Sequence, residues 1–236
     1  MPDFTAGLGA GIVAATVWIL PLLLAITLHE ASHAFAAKAL GDDTAARLGR
    51  VSLNPFKHID LFGTVLLPAV LLITRAPVIF GWAKPVPVAF GRLRQPRRDM
   101  ALVAAAGPAC NLVLALASAL AFHLIALVPE GEGRDWVAQN LFNSVLVNLV
   151  LCIFNLLPLP PLDGGRIMVA ALPRPLGLLL ARVERFALLI LLAVVFVVPM
   201  LARPLGLVIE PFRWLVGAPV EYLLPLIFAF VGLGPA

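Results

Sequence analysis

The chain has 236 residues, of which 61% are hydrophobic and only 13% charged, and its mean hydropathy is +1.02. This composition excludes an ordinary soluble protein and indicates a membrane protein, while the long unbroken apolar runs exclude an outer-membrane barrel. The net charge of +4 arises from basic residues that lie between apolar runs, where they are topology signals rather than a nucleic-acid surface.

The first predicted helix runs from Phe4 to about Leu40 and ends at Gly41, a typical glycine stop. The next apolar run, 61–74, has only 14 uncharged residues, which predicts a re-entrant or interfacial segment rather than a full span. It leads into a stretch with Pro-x-Pro spacing, which favours an extended, β-like backbone. This stretch consists of Gly81, Trp82, Ala83, Lys84, Pro85, Val86, Pro87 and Val88.

Two further spans are predicted at Met100 to about Val128 and Trp136 to about Leu157, with a short acidic loop between them. A run of 17 apolar residues, 186–202, predicts another helix, and the tail leaves one more span open because charged residues interrupt it. The predicted fold is therefore an all-α polytopic membrane protein of four to six transmembrane helices. Residues 1–236 form one membrane-embedded domain, with a catalytic core at about 4–170 and C-terminal helices at about 176–236.

The most informative motif is His29-Glu30-Ala31-Ser32-His33, near the end of the first predicted helix. Two histidines at positions i and i+4 face the same side of a helix and can bind one Zn²⁺, while the glutamate beside them can act as a general base. By composition alone, about 0.002 such matches are expected in a chain of this kind. Ionisable residues inside a membrane also need a partner, and a metal ion supplies one. The alternative is a pair of hydrogen-bonded core histidines beside Glu30.

Catalytic zinc sites generally use three protein ligands, so a third must come from elsewhere in the chain. Asp163 is the favoured candidate, because the prolines before it prevent regular helix at membrane depth, as happens where backbone lines a cavity. His123 is expected to be a buried, hydrogen-bonded residue. The full set of candidates outside the motif is His58, His123, Asp60, Asp99 and Asp163.

Membrane topology constrains this choice. The predicted spans at 100–128 and 136–157 form an up-and-down pair, so Asp163 must return to the side at which the first helix ends. Most of the basic residues then share that side, which by the positive-inside rule is cytoplasmic, and the N-terminus lies outside. The expected location is the plasma (inner) membrane.

Five motifs in order make the chain resemble the site-2 protease family of intramembrane zinc metalloproteases, in its compact branch without PDZ or CBS domains. The resemblance covers about residues 20–170. The motifs are His29-Glu30-x-x-His33, Gly49-Arg50-x-x-x-Asn54-Pro55-x-x-His58-x-Asp60, Gly81-Trp82-Ala83-Lys84-Pro85-Val86-Pro87, Ala106-Gly107-Pro108-x-x-Asn111 and Asn155-x-x-Pro158-x-Pro160-x-x-Asp163-Gly164.

The resemblance implies that His29, His33 and Asp163 bind one Zn²⁺ per chain and that Glu30 is the general base. It also implies that the segment 81–88 binds substrate as a sheet edge. Asn155 is the first candidate for a donor to the oxyanion, followed by Asn111 and His58. The implied substrates are transmembrane or membrane-bound proteins within the lipid bilayer, with no role for nucleic acid. The competing hypothesis is a membrane metal transporter or sensor that does not hydrolyse peptide bonds.

Overall fold

The computed structural model describes residues 4–66, 70 and 83–234, and gives only the backbone for residues 4–14, 65, 187 and 188. All regular structure in this part of the chain is helical, without any strand, which confirms the all-α class. The α-helices are α1 Phe4–Ala39, α2 Thr44–Arg47, α3 Pro96–Ala121, α4 Glu132–Asn155, α5 Asp163–Ala171, α6 Arg174–Val183, α7 Ala187–Leu192, α8 Val198–Ala202 and α9 Ala218–Phe230. Short 3₁₀ or π turns are Pro55–Lys57, Leu61–Leu66, Phe90–Arg92, Phe122–Leu127, Glu184–Phe186, Ala193–Val197, Arg203–Leu205 and Arg213–Gly217.

Four described stretches are long and apolar enough to cross a membrane, and a fifth is added if a bent helix pair counts as one span. The four are Ala15–Ala39, Pro96–Leu127, Glu132–Asn155 and Arg213–Phe230. The bent pair joins Arg174–Phe186 to Leu189–Leu205 at an angle of 69°. These numbers confirm the predicted range of four to six, and they place a helix in the tail that the sequence left open.

The second and third spans begin about one turn earlier than the apolar runs predicted. The first turn of α3 contains Asp99, whose carboxylate accepts a 2.8 Å hydrogen bond from the backbone N–H of Gln95. The first turn of α4 likewise contains Glu132 and Asp135. Acidic residues stabilise a helix N-terminus, so these charged turns belong to the helices although they interrupt the hydrophobic pattern.

The end of α1 follows the predicted glycine stop. Gly41 has a φ of +112°, and the N–H of Asp42 donates to the carbonyl of Ala37 at 2.9 Å. This arrangement satisfies a carbonyl that the helix would otherwise leave without a donor. It also turns the chain sharply just beyond the His29-Glu30-x-x-His33 motif.

Helices α1, α3 and α4 pack together, and α9 covers the far end of the α3–α4 pair. The contact between α3 and α4 is built on small and branched residues, including Ala115, Ala119, Val145 and Leu149, all of which are buried. Small side chains allow helices to approach closely in a membrane. His123 is hydrogen-bonded, with Nε2 2.7 Å from the carbonyl oxygen of Val231, but the expectation that it is buried is wrong. It lies on the outer surface of the bundle, where a backbone carbonyl satisfies it.

The chain between α1 and α3 is attached to the end of α1 by the N–H of Arg94, which donates to the carbonyl of Leu40 at 3.0 Å, and it is also hydrogen-bonded to itself. Residues 83–89 have neither helical nor strand pairing. The N–H of Lys84 donates to the carbonyl of His58 at 2.9 Å, and Arg50 donates to the carbonyl of Lys84 at 2.7 Å. Gly81, Trp82 and half of the predicted re-entrant segment 61–74, namely residues 67–69 and 71–74, lie outside the described residues; Leu61–Leu66 within it is a wide helical turn.

Asp42 makes the second attachment between the end of α1 and the chain that leads to α3. Its fully buried carboxylate accepts hydrogen bonds from the side chain and backbone of Thr44 and, at 2.6 Å, from the N–H of Ala89. Burial raises the pKa of Asp42, but these hydrogen bonds outweigh it and lower the pKa below the usual value of 3.8.

We expect D42N to destabilise the protein by about 1–3 kcal/mol at neutral pH, because an amide places N–H groups opposite existing donors. Since the pKa of Asp42 is lower in the folded state, its contribution is complete above the unfolded pKa and is lost as the pH falls through the folded pKa. Unfolding of the wild type and D42N between pH 7 and pH 3 measures this. A difference that does not shrink toward pH 3 would contradict the assignment.

Candidate metal centre

The described structure brings together the three side chains that the sequence proposed as metal ligands. His29 and His33 lie one turn apart on α1, and their Nε2 atoms are 3.1 Å from each other. Oδ2 of Asp163, in the first turn of α5, lies 3.3 Å from each of these nitrogens. All three residues are buried. The predicted return of Asp163 to the side at which α1 ends is therefore confirmed.

The outer nitrogen of each histidine ring faces a hydrogen-bond acceptor. Nδ1 of His33 lies 2.7 Å from the backbone carbonyl oxygen of Val103, which can only accept. Nδ1 of His29 lies 2.6 Å from the carboxamide oxygen of Asn111. Both Nδ1 atoms must therefore carry the proton, and in the neutral rings both Nε2 lone pairs point toward Asp163. This is the tautomer that a histidine needs in order to bind a metal through Nε2.

The chemistry of this donor set fits a zinc ion. Two Nε2 lone pairs and a carboxylate oxygen converge within one small space, and the buried Oδ2 atom of Asp163 has no hydrogen-bond donor. Three electron-pair donors facing one another repel unless a cation lies between them. Nitrogen and oxygen ligands in the combination of two histidines and one carboxylate are typical of catalytic zinc sites.

Glycines make the close packing around the three ligands possible. A Cβ atom on Gly107 of α3 would lie 2.4 Å from Nε2 of His33 and 2.5 Å from Cε1 of His29. A Cβ atom on Gly164 would lie 2.1 Å from the carbonyl oxygen of Leu156. Any side chain at Gly107 would therefore occupy the space beside the histidines, and one at Gly164 would push Asp163 away from them.

Glu30 lies beside the three converging atoms without joining them. Its Oε2 atom accepts a 2.8 Å hydrogen bond from the backbone N–H of Val86, which lies in residues 83–89, the linking segment between α1 and α3. Glu30 and the three candidate ligands line a cavity of about 460 Å³, together with Asn155 and apolar residues of α3, α4 and the linking segment. A carboxylate beside, but outside, the ligand set is what a general base requires.

The three candidate oxyanion donors occupy different surroundings. Asn155 lines the cavity, and its amide donates to the carbonyl of Leu151 at 3.0 Å, which uses one of its two N–H groups. Asn111 is fully buried behind His29 and is not among the cavity-lining residues. His58 is also buried away from the cavity, with Nε2 2.8 Å from the carbonyl oxygen of Ser52.

Sequence reasoning missed two contacts of the site. The hydrogen bond from the Val86 N–H to Glu30 could have been suspected only from the flanking prolines. Because Pro85 and Pro87 have no N–H, Val86 is the one residue from 85 to 87 that can donate a backbone hydrogen bond. Asn148 of α4 accepts a 2.8 Å hydrogen bond from the carboxamide of Asn111. Its signal was weak: a buried asparagine in a predicted span indicates a polar partner but does not say which.

Comparisons with known proteins show which family this chain resembles. The model of the family described as Peptidase family M50 matches residues 123–198. The chain is 39% identical over 189 residues to "Putative zinc metalloprotease YwhC" of Bacillus subtilis (strain 168), an alignment that covers 77% of this chain and 80% of that protein. It is 31% identical over 179 residues to "Putative zinc metalloprotease Rip2" of Mycobacterium tuberculosis (strain ATCC 25618 / H37Rv), covering 76% of this chain and 66% of that one. No solved structure gives a significant match.

Proposed function

Because this chain belongs to peptidase family M50, we propose that it is an intramembrane zinc endopeptidase that hydrolyses peptide bonds in or near the transmembrane segments of membrane-protein substrates. The observation that carries the proposal is the convergence of His29, His33 and Asp163 with Glu30 immediately beside them. These groups lie on or next to helices that are long and apolar enough to cross a membrane. The relatives named as zinc metalloproteases support the choice of metal.

In this proposal His29, His33 and Asp163 hold one zinc ion per chain. When bound, zinc is a Lewis acid that polarises the scissile carbonyl and lowers the pKa of water toward about 7. The protein residues orient the ligands: Val103 and Asn111 fix the two imidazoles from behind, and Gly107 leaves room for them. The tight turn before Asp163 fixes the carboxylate from the other side.

Glu30 is the proton carrier. Its carboxylate takes a proton from the attacking water and delivers it to the nitrogen of the leaving amine, as a general base and then a general acid. The Val86 N–H holds one carboxylate oxygen at 2.8 Å and so limits the rotamers that Glu30 can adopt. This bond also couples the base to the segment against which substrate would lie.

Asn155 is the best-placed of the three candidates for stabilising the oxyanion. It lines the same cavity as Glu30 and Asp163, and one of its N–H groups remains after the bond to Leu151. Asn111 is already committed to His29 and Asn148. An oxyanion donor of this kind typically contributes 10²–10³ in rate.

Residues 83–88 are proposed to bind substrate along their free edge. Two inward N–H groups, those of Lys84 and Val86, are bonded to His58 and Glu30. Pro85 and Pro87 have no N–H, so at these positions the segment offers substrate only carbonyl oxygens, of which that of Pro85 also accepts a long, 3.5 Å hydrogen bond from Arg50. An extended substrate would thus donate its amides to the segment while its own carbonyls stay available to the site.

The enzyme is proposed to lie in the plasma (inner) membrane, with the N-terminus outside and the metal centre toward the cytoplasm. The end of α1, the start of α3 and the start of α5 meet on one side of the bundle, which carries most of the basic residues. The acidic residues Glu130, Glu132 and Asp135 lie at the opposite ends of α3 and α4.

The direct test is incubation of the purified protein with a panel of single-span peptides, followed by mass spectrometry of the products. We expect cleavage in or near the apolar segment of some peptides, loss of cleavage after zinc is chelated, and recovery when zinc is restored. A protein that binds zinc but shows no chelator-sensitive cleavage of any peptide would instead support the transporter or sensor hypothesis.

We expect V86P to lower the cleavage rate by about 10- to 100-fold without changing zinc content. Both neighbours of Val86 are prolines, and the residue before a proline already favours an extended backbone. The substitution therefore removes the N–H group that donates to Glu30 with little change in the direction of the chain. V86A, which keeps the N–H, is the matched control and should retain most of the activity. Equal rates for V86P and the wild type would exclude a role for this hydrogen bond.

A further inference from the structure

A chain of hydrogen bonds extends from the proposed metal centre into the packed interior of the helix bundle. Nδ1 of His29 bonds the oxygen of Asn111 at 2.6 Å, and the amide of Asn111 donates to the oxygen of Asn148 at 2.8 Å. The amide of Asn148 donates in turn to the carbonyl oxygen of Ser144 at 2.8 Å. The chain thus passes from α1 through α3 to α4.

The direction of every bond in this chain follows from its last member. The carbonyl oxygen of Ser144 can only accept, so Asn148 must present its nitrogen there and its oxygen toward Asn111. Asn111 must then present its nitrogen to Asn148 and its oxygen to His29. A backbone carbonyl of α4 therefore sets the proton position on an imidazole of α1, through two carboxamides.

We propose that Asn148 is a positioning residue that fixes His29 in the tautomer with a free Nε2 lone pair and so prepares it for metal binding. The proposal rests on the function proposed above, in which His29 is a zinc ligand. His33 needs no such chain, since the carbonyl of Val103 contacts it directly. If Asn111 turned over, its nitrogen would face Nδ1 of His29, and the proton would move to Nε2, where it blocks the metal.

The burial of the two asparagines supports this role. Asn111 is fully buried and Asn148 is 1% exposed, between helices that present mainly apolar residues. Buried carboxamides are costly in such surroundings unless their bonds are satisfied. The carbonyl of Ala25 lies 3.4 Å from the amide of Asn111 and is a weaker partner in the same direction. Without Asn148, this long contact would be the remaining hydrogen-bond acceptor for the amide nitrogen of Asn111 among the described residues.

Asn143 provides a matched control on the same helix. It is also buried, at 7% exposure, and its amide donates to the carbonyl of Val17 of α1 at 2.8 Å. This bond ties α4 to α1 as Asn148 ties α4 to α3, but it does not lead to His29. A loss that arises only from weaker helix packing should therefore be the same in N143L and N148L.

The experiment measures the zinc dissociation constant of the purified protein by competition with a chelator. We expect N148L to bind zinc about tenfold more weakly than the wild type, which is the lower end of the effect of losing a residue that orients a metal ligand. N143L should bind zinc within about twofold of the wild type. N148D should recover most of the affinity, because a carboxyl oxygen still accepts from Asn111. Equal affinities for N148L and N143L would overturn the proposal.

A second measurement does not depend on any variant folding. In the metal-free wild type, the ¹⁵N chemical shifts of His29 should show a protonated Nδ1, and an unprotonated Nδ1 would overturn the proposal. Failure of the proposed function is distinguishable from both results. In that case the wild type itself would bind no zinc, or would bind zinc without cleaving any peptide, whatever residue occupies position 148.

Discussion

Replacing Glu30 with glutamine should lower peptide cleavage by about 10²–10⁴ while the protein keeps its zinc, because the substitution removes the proton carrier and none of the three converging ligand atoms. Glutamine has the same shape and an oxygen that can still accept from the Val86 N–H, so the backbone of the linking segment should stay in place. The measurements are the initial rate on a cleaved single-span peptide and the zinc content of the same preparation.

The control for E30Q is E210Q, which removes a half-exposed carboxylate 3.4 Å from Arg213 and outside the cavity. It should cleave at the wild-type rate. If E30Q cleaved within a fewfold of the wild type, Glu30 would have no role in proton transfer. If E30Q lost its zinc, Glu30 would be part of the ligand set instead, and another base would have to be sought among the cavity residues.

The convergence of His29, His33 and Asp163 was predictable because much of the information that points to it is local in the sequence. The spacing of His29 and His33 follows from helical periodicity, and the requirement for a third ligand follows from zinc chemistry. The proline-rich approach to Asp163 indicated where backbone would line a cavity. Only the contact between Asp163 and the two histidines, which lie more than a hundred residues earlier in the chain, needed the folded structure. The predicted topology had already placed Asp163 on the side at which α1 ends.

The parts that the sequence did not predict depend on contacts between helices. Asn111 reads equally well as an oxyanion donor or as a helix-packing residue, and the fold places it behind His29. The bond between Glu30 and Val86 joins a helix to a segment whose path the hydrophobic pattern does not determine. The tail was open for a similar reason: Arg213 and Glu221 lower its hydropathy, yet packing against α3 and α4 is compatible with a continuous helix.

Replacing Asp163 with asparagine should lower zinc affinity by at least about 100-fold. Loss of a residue that only hydrogen-bonds a metal ligand lowers metal affinity by about 10- to 100-fold. Asp163 is proposed to contact the metal directly, so its effect should be at least as large. Asparagine keeps the size of the side chain but removes the negative charge that a divalent cation attracts. Chelator competition on purified D163N measures the change, and cleavage should fall in parallel at limiting zinc.

The same substitution should have the opposite effect on the metal-free protein. Oδ2 of Asp163 is buried without a hydrogen-bond donor, so the carboxylate bears a desolvation cost that an amide reduces. Metal-free D163N should therefore unfold at a temperature no lower than that of the metal-free wild type. D99A is the control: Asp99 is also buried in the first turn of a helix, but its carboxylate accepts the N–H of Gln95 at 2.8 Å, and alanine leaves that N–H without this acceptor. D99A should lose stability and keep its zinc affinity, so the two buried aspartates should give crossed results. A D163N protein that is less stable without metal but binds zinc normally would assign Asp163 to the structure of α5 rather than to the metal.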